Sequence, residues 1–167
     1  TCRGTTFLAA CGSSVRATSK GRNVVALGAA VYGGTSATAE LAHTVAWAAF
    51  FSDVSAAGQH RNIAAVGFAV ASRIGVRALR GTAVTLAATR NCTVRGTSDL
   101  SYNVAAVGVA LFSELDATVL ELSNSSMTAA DGSSVSGWAQ DSGVAAVGVA
   151  MQAGKESTLV LSNTAVA

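Results

Sequence analysis

The nine acidic residues are the side chains in this sequence with the most obvious catalytic potential, because paired carboxylates can hydrolyse glycosidic bonds. Only two of them, Glu40 and Glu121, occupy matching positions beside a leucine in a repeated pattern, and we expect Ala78 to lie between them. If the repeats stack as strands, the two carboxylates would be about 10 Å apart, near the upper limit for inverting hydrolysis. Since no acid is expected between them, the sequence favours solvated surface carboxylates over an active site. The others are scattered: Asp53, Asp99, Glu114, Asp116, Asp131, Asp141 and Glu156.

The histidines and cysteines form no catalytic or metal-binding pattern. No Ser/His/acid or Cys/His grouping recurs at one repeat position, and the three cysteines fit neither a disulfide framework nor metal-ligand spacing. Cys2 aligns with Leu79 as an inward core residue, whereas Cys11 and Cys92 fall in variable stretches two repeats apart. We therefore expect no catalytic residue, no metal site and no cofactor.

Two N-glycosylation sequons begin at Asn91 and Asn124. They read Asn-Cys-Thr and Asn-Ser-Ser, and Asn124 falls at an expected corner of the chain from which a glycan could project into solvent. Both asparagines are therefore candidate modification sites.

Composition excludes several classes of partner. The 167 residues are 50% hydrophobic, 5% aromatic and 12% charged, without proline. A net charge of +2, widely dispersed, predicts neither nucleic-acid binding nor attraction to an anionic membrane. Apolar runs of nine residues or fewer are too short to span a bilayer, so we expect no membrane insertion by this segment.

A unit of about forty residues recurs along the chain. The stretch NVAAVGVAL at 103–111 has near-copies that begin at Asn23, Asn62 and Gly143. The glycines at their centres, Gly28, Gly67, Gly108 and Gly148, are 39, 41 and 40 residues apart. The sequence therefore predicts one domain over 1–167 with repeat cores near 23–49, 62–88, 103–130 and 143–167.

The period within each repeat is two residues, which indicates β-strands. The larger residues lie on one expected face and the smaller ones on the other: Ala105, Val107, Val109 and Leu111 against Val104, Ala106, Gly108 and Ala110. Alanine-rich segments also suit helical-hairpin repeats, but the mid-segment glycine and the lack of a charged face disfavour that alternative.

These patterns predict an all-β, parallel β-solenoid, a right-handed β-helix of about four rungs. We expect strands near Val104–Phe112, Thr118–Leu122 and Ser126–Ala130, with the VSGWA kernel in a longer loop. One rung per repeat is favoured, and two turns of about twenty residues each remain an alternative.

A left-handed corner residue is expected once per repeat. Turn triplets place His43, Gly81, Asn124 and Asn163 at equivalent points, and these residue types tolerate positive φ. A corner in register suits a solenoid, and the absence of polar caps predicts flanking rungs beyond both ends.

The smaller face forms a candidate packing strip of eight residues. Loops of the chain could cover it, another protein chain could dock on it, or it could bind ice, although regular threonine ladders are lacking. The strip comprises Val104, Ala106, Gly108, Ala110, Val144, Ala146, Gly148 and Ala150.

The alternation of AAVGVAL and TLVLSNS segments with Ser/Thr/Ala-rich loops resembles the trypanosomatid dispersed gene family surface proteins. That resemblance implies a surface-exposed, adhesive β-helix without known catalytic residues. We therefore expect a non-enzymatic structural or adhesive protein at a cell surface or in an extracellular assembly, with flanking rungs, another chain or cell-surface glycans as partners. The alternative is part of a carbohydrate-active β-helix enzyme whose catalytic rung lies outside this chain.

Overall fold

The chain forms a parallel β-solenoid. The computed structural model describes residues 2–19, 24–33, 35, 37–58, 63–72, 77–98, 104–113, 115–139, 144–152 and 157–167. Within those ranges there are eighteen strands and no helix. The strands pair in parallel and form four sheets. The predicted all-β solenoid is confirmed, and helical-hairpin repeats are wrong for these residues.

Two of the sheets have five strands each. Sheet A runs in the order β1 (Cys2–Arg3), β5 (Ala37–Ala42), β9 (Arg77–Thr82), β13 (Thr118–Ser123) and β17 (Ser157–Ser162). Sheet B contains β2 (Thr6–Ala9), β6 (Val45–Ala49), β10 (Thr85–Thr89), β14 (Ser126–Ala129) and β18 (Ala165–Val166).

The other two sheets have four strands each. Sheet C contains β3 (Ser14–Ser19), β7 (Asp53–Gly58), β11 (Thr93–Ser98) and β15 (Ser134–Ala139). Sheet D contains β4 (Val24–Gly33), β8 (Ile63–Ser72), β12 (Val104–Ser113) and β16 (Val144–Gln152).

Each repeat makes one turn that contributes a strand to every sheet. In each sheet a strand pairs with the strand four positions later in the chain, as β8 does with β12 and β11 with β15. The alternative of two twenty-residue turns per repeat is therefore wrong. The VSGWA kernel was expected in a loop, but it forms β15, because its alternation of half-buried and exposed residues suits a strand with one face inward.

The central glycines stack in one column of sheet D, as predicted. Gly28 pairs with Gly67, Gly67 with Gly108 and Gly108 with Gly148. Their φ angles lie between 125° and 156°, which L side chains rarely adopt. A Cβ atom on Gly108 would overlap the backbone carbonyl oxygen of Gly148. The column therefore needs glycine for both its backbone angle and its close approach.

The alternation in sheet D breaks at one position, which changes the predicted faces. In β12 the residues of the core cluster are Val104, Ala106, Val107, Val109 and Leu111, so two consecutive residues face inward. The ladder pairs the residues on either side of Ala106 but omits Ala106 itself. The prediction that Val104 and Ala106 face outward is wrong, because the strand changes phase between Ala106 and Val107.

The core is fully packed in the middle rungs and thinner in the last one. Val66, Phe68, Val107 and Val109 are buried, and Phe68 makes an edge-to-face contact with Phe7 of sheet B at 6.3 Å. Val147 and Val149, which were also predicted to be buried, are only half-buried. They lie in β16, the last strand of sheet D, and have a neighbouring strand on one side only.

The corner between sheets A and B repeats in register. It contains Gly4, His43, Ala83, Asn124 and Asn163, all with φ between 47° and 56°. Each of the first four donates its backbone N–H to a carbonyl of the next rung, at 2.9 to 3.0 Å. The predicted left-handed corner is confirmed for His43, Asn124 and Asn163. It is wrong for Gly81, which lies within β9.

The corner between sheets B and C has two consecutive left-handed residues in each rung. Successive rungs carry Cys11 and Gly12, Phe50 and Phe51, Arg90 and Asn91, and Asp131 and Gly132. Backbone hydrogen bonds of 2.9 to 3.1 Å join neighbouring rungs here as well. The residue types vary from rung to rung, so no single recurring residue marks this corner in the sequence.

Candidate functional site

The column that contains Glu40 and Glu121 lies on the outer face of sheet A, and the residue between them is Arg80. Glu40 pairs in register with Arg80, and Arg80 with Glu121. Arg80 Nε donates to Glu121 Oε2 at 2.9 Å, and the two side chains are 62% and 44% exposed. The expectation that Ala78 lies between the carboxylates is wrong.

One register shift explains three errors: Ala78 between the acids, the alignment of Cys2 with Leu79, and the corner predicted at Gly81. The similarity of CRGT and LRGT aligned Cys2 with Leu79, but the ladder pairs Cys2 with Leu41 and Leu41 with Gly81. The true alignment of this rung therefore differs by two residues. A shift of two preserves which face each side chain occupies, so the alternating pattern could not reveal it.

The column of Glu40, Arg80 and Glu121 borders two shallow grooves. One has a volume of about 240 Å³ and is lined by Arg3, Glu40, Leu41, Ala42, Arg80 and Thr82. The other is about 350 Å³, and Glu121, Ser123 and Ser162 contribute to its walls. A guanidinium occupies the position between the two acids, where an inverting hydrolase needs space for a water and the scissile bond. The two grooves therefore lack a paired-carboxylate site.

The other titratable residues do not converge. His43 is exposed at its corner, Cys11 is exposed, and Cys92 is buried. Cys92 Sγ contacts the carbonyl oxygen of Ala48 at 3.1 Å, in the place where Ser52 of the preceding rung contacts Ala9. Among the described residues no three His, Cys, Asp or Glu side chains lie close enough to hold a metal ion.

Both candidate glycosylation sites lie at corners. Asn91 and Asn124 are exposed, with φ of 58° and 49°. Asn163 Nδ2 donates to Asn124 Oδ1 at 3.3 Å. Asn91 lies at the corner between sheets B and C, and Asn124 lies at the corner between sheets A and B.

The candidate packing strip is mostly buried within the chain itself. Val104, Ala106, Gly108 and Ala110 are buried, and so are Gly148 and Ala150. The exposed members are Val144, which is 48% exposed, and Ala146. Both lie at the start of β16, so these two residues are the part of the strip that a partner could contact.

The outer face of sheet C carries a second group of polar side chains. A shallow groove of about 620 Å³ crosses three of its strands. Its walls are formed by Arg16, Thr18, Asp53, Ser55, Ala57, Thr93 and Arg95. The sequence does not predict this face, because the loop expected for the VSGWA kernel also takes in its counterparts VRATS at 15–19 and VRGTS at 94–98. Their matching Val-Arg pairs are the signal that could have identified it.

An aromatic group occupies the neighbouring corner. Trp47 Nε1 donates to Thr89 Oγ1 at 2.8 Å, and the Trp47 and Phe50 rings lie 6.4 Å apart. The guanidinium of Arg90 stacks over Phe50 at 4.4 Å from its centroid, whereas Phe51 is 72% exposed. Bulky residues are uncommon at positive φ, so this corner combines backbone strain with one exposed ring, that of Phe51.

Comparison with known proteins found no match to a protein-family model, a curated protein or a solved structure. The described residues include no helix long and apolar enough to cross a membrane.

Proposed function

We propose that this chain is a structural or adhesive solenoid at a cell surface or in an extracellular assembly, and that it binds other molecules without transforming them. The observation that carries the proposal is the arrangement of its outer side chains in columns along the stack, with Arg80 between the best-placed carboxylates. A face that repeats from rung to rung suits an extended partner, because each rung offers similar contacts.

Catalysis would require groups that converge on one point. A hydrolase or lyase needs paired acids, a metal or an activated nucleophile within reach of the same bond. Of the described acids, Glu40 and Glu121 share a column, but Arg80 lies between them and pairs with Glu121. The geometry therefore supports binding better than turnover, and it gives no role to a cofactor.

Two sequence features fit a surface location. The repeat texture resembles the trypanosomatid dispersed gene family surface proteins, and the two sequons at Asn91 and Asn124 are exposed at corners. The partners in this proposal are flanking rungs, another protein chain or cell-surface glycans.

The test is an assay of the purified chain against a panel of neutral and acidic polysaccharides, with release of reducing ends and retention of ligand measured together. We expect retention without turnover. Turnover that Glu121→Gln abolishes, while the exposed corner variant Asp131→Asn retains it, would contradict the proposal. That result would identify a carbohydrate-active β-helix instead.

A further inference from the structure

We propose that the outer face of sheet C binds an extended anionic polysaccharide that runs along the stacking axis. This inference rests on the proposed function, and it specifies both the face and the class of ligand. Four observations bear on it: two arginines in one column, the hydroxyl groups around them, an exposed tryptophan, and the number of cations available.

Arg16 and Arg95 stand in the same column with Ser55 between them. Both arginines are exposed, and their separation of two strand spacings is about 10 Å. Neither forms an ion pair in the part of the chain that the structure describes. A guanidinium offers paired N–H donors that match a carboxylate or sulfate group. The column therefore presents two anion-binding groups on one line along the stack.

The space around the arginines is lined by groups that can bind sugar hydroxyls. Thr18, Ser55 and Thr93 contribute hydroxyls to the groove, and Asp53 contributes a carboxylate that accepts hydrogen bonds. A hydroxyl both donates and accepts, so it can pair with sugar hydroxyls of either orientation. Ala57 lies in the neighbouring column, and its small side chain leaves space in the groove beside Ser55. The groove thus combines two cations and one carboxylate with walls that carry hydroxyl groups.

An exposed ring completes the surface at its far end. Trp138 lies in the column that also contains Thr18, Ala57 and Thr97. It is 54% exposed on the last strand of sheet C. An indole ring offers a flat apolar surface, on which the C–H face of a sugar can pack. A polysaccharide that follows the arginine column along the stacking axis can therefore extend towards Trp138 on the last strand.

The number of cations favours a polysaccharide over a single-stranded nucleic acid. Proteins that bind single strands combine a continuous basic groove with aromatic rings for successive bases. Sheet C offers two arginines and one tryptophan, and Asp53 offsets part of the positive charge. The spaced charges and hydroxyl walls fit a polymer in which neutral hydroxyls outnumber the anionic groups.

The test measures binding of the full chain to polygalacturonate by isothermal titration calorimetry at low salt. We expect Arg16→Gln and Arg95→Gln each to weaken binding about tenfold, as loss of a charged hydrogen-bonding partner should. The matched control is Arg80→Gln, which removes an exposed arginine from sheet A and should leave affinity unchanged. Trp138→Ala should also weaken binding.

Equal losses in all three arginine variants would overturn the proposal, because they would indicate attraction to net charge alone. Tighter binding of the oligonucleotide dT20 than of polygalacturonate would overturn it in favour of nucleic acid. Binding that no sheet C variant alters would place the ligand elsewhere, while the proposed non-catalytic function would stand. Turnover of polygalacturonate would instead contradict the proposed function itself, so the two failures are distinguishable.

Discussion

Single residues fix the closest approach between rungs, and the glycine column shows this most clearly. Gly108→Ala adds a Cβ atom that must overlap the carbonyl oxygen of Gly148 at a φ of 156°. We expect a loss of more than about 3 kcal/mol in the free energy of unfolding, because neither the backbone nor its neighbour can yield without disturbing the ladder. Chemical denaturation measures this loss.

The matched control for this substitution is Gly4→Ala. Gly4 also has a positive φ, of 56°, but a Cβ atom there would have open space around it. The Gly4→Ala variant should lose only about 1 kcal/mol of the free energy of unfolding, because alanine must adopt the left-handed backbone conformation without any new overlap. Equal losses for the two variants would mean that conformation alone, rather than contact between rungs, selects glycine at Gly108.

At the scale of the strand, burial depends on a neighbour on each side. Val107 is fully buried in β12, whereas its register partner Val147 is half-buried in β16. Val107→Asp should therefore cost more than about 3 kcal/mol, since it leaves a desolvated and unpaired carboxylate. Val147→Asp should cost clearly less. Thermal unfolding compares the two, and an unchanged melting temperature for Val107→Asp would mean that this face points outward.

The sequence could predict strands where alternation and repetition agree. The strands near Thr118 and Ser126 and the glycine register follow from those two signals. The phase change at Ala106 was not predictable, because alanine fits either face of a strand. The two-residue shift at Gly81 was equally hidden, since it keeps every side chain on its face. Nor does the residue type of Phe51 suggest a left-handed corner.

The arginine column of sheet C was not predicted, because the segments that contain it were expected to be loops and are in fact the strands β3 and β11. Once the kernels are strands, Arg16 and Arg95 must share a face, since both follow an inward valine. As loops, they carry no such implication. Predicting these segments as strands would therefore have been enough to place Arg16 and Arg95 in one column.

At the scale of the whole molecule, every column depends on one turn per forty-residue repeat. Arg3, Ala42, Thr82, Ser123 and Ser162 form one such column across all five strands of sheet A. Its ends are therefore separated by four strand spacings, or about 19 Å, although 158 residues lie between them in the chain. Two turns per repeat would double that separation to about 38 Å.

The most direct test of this arrangement is a pulsed electron resonance distance between spin labels at positions 3 and 162. The labels replace Arg3 and Ser162 as cysteines in a background that carries Cys2→Ala, Cys11→Ala and Cys92→Ser, the last of which matches Ser52 of the preceding rung. A one-turn repeat predicts a narrow distribution near 20 Å, broadened by the label arms. A distribution centred near 40 Å would contradict the stacking of one rung per repeat, and with it every column described for this protein.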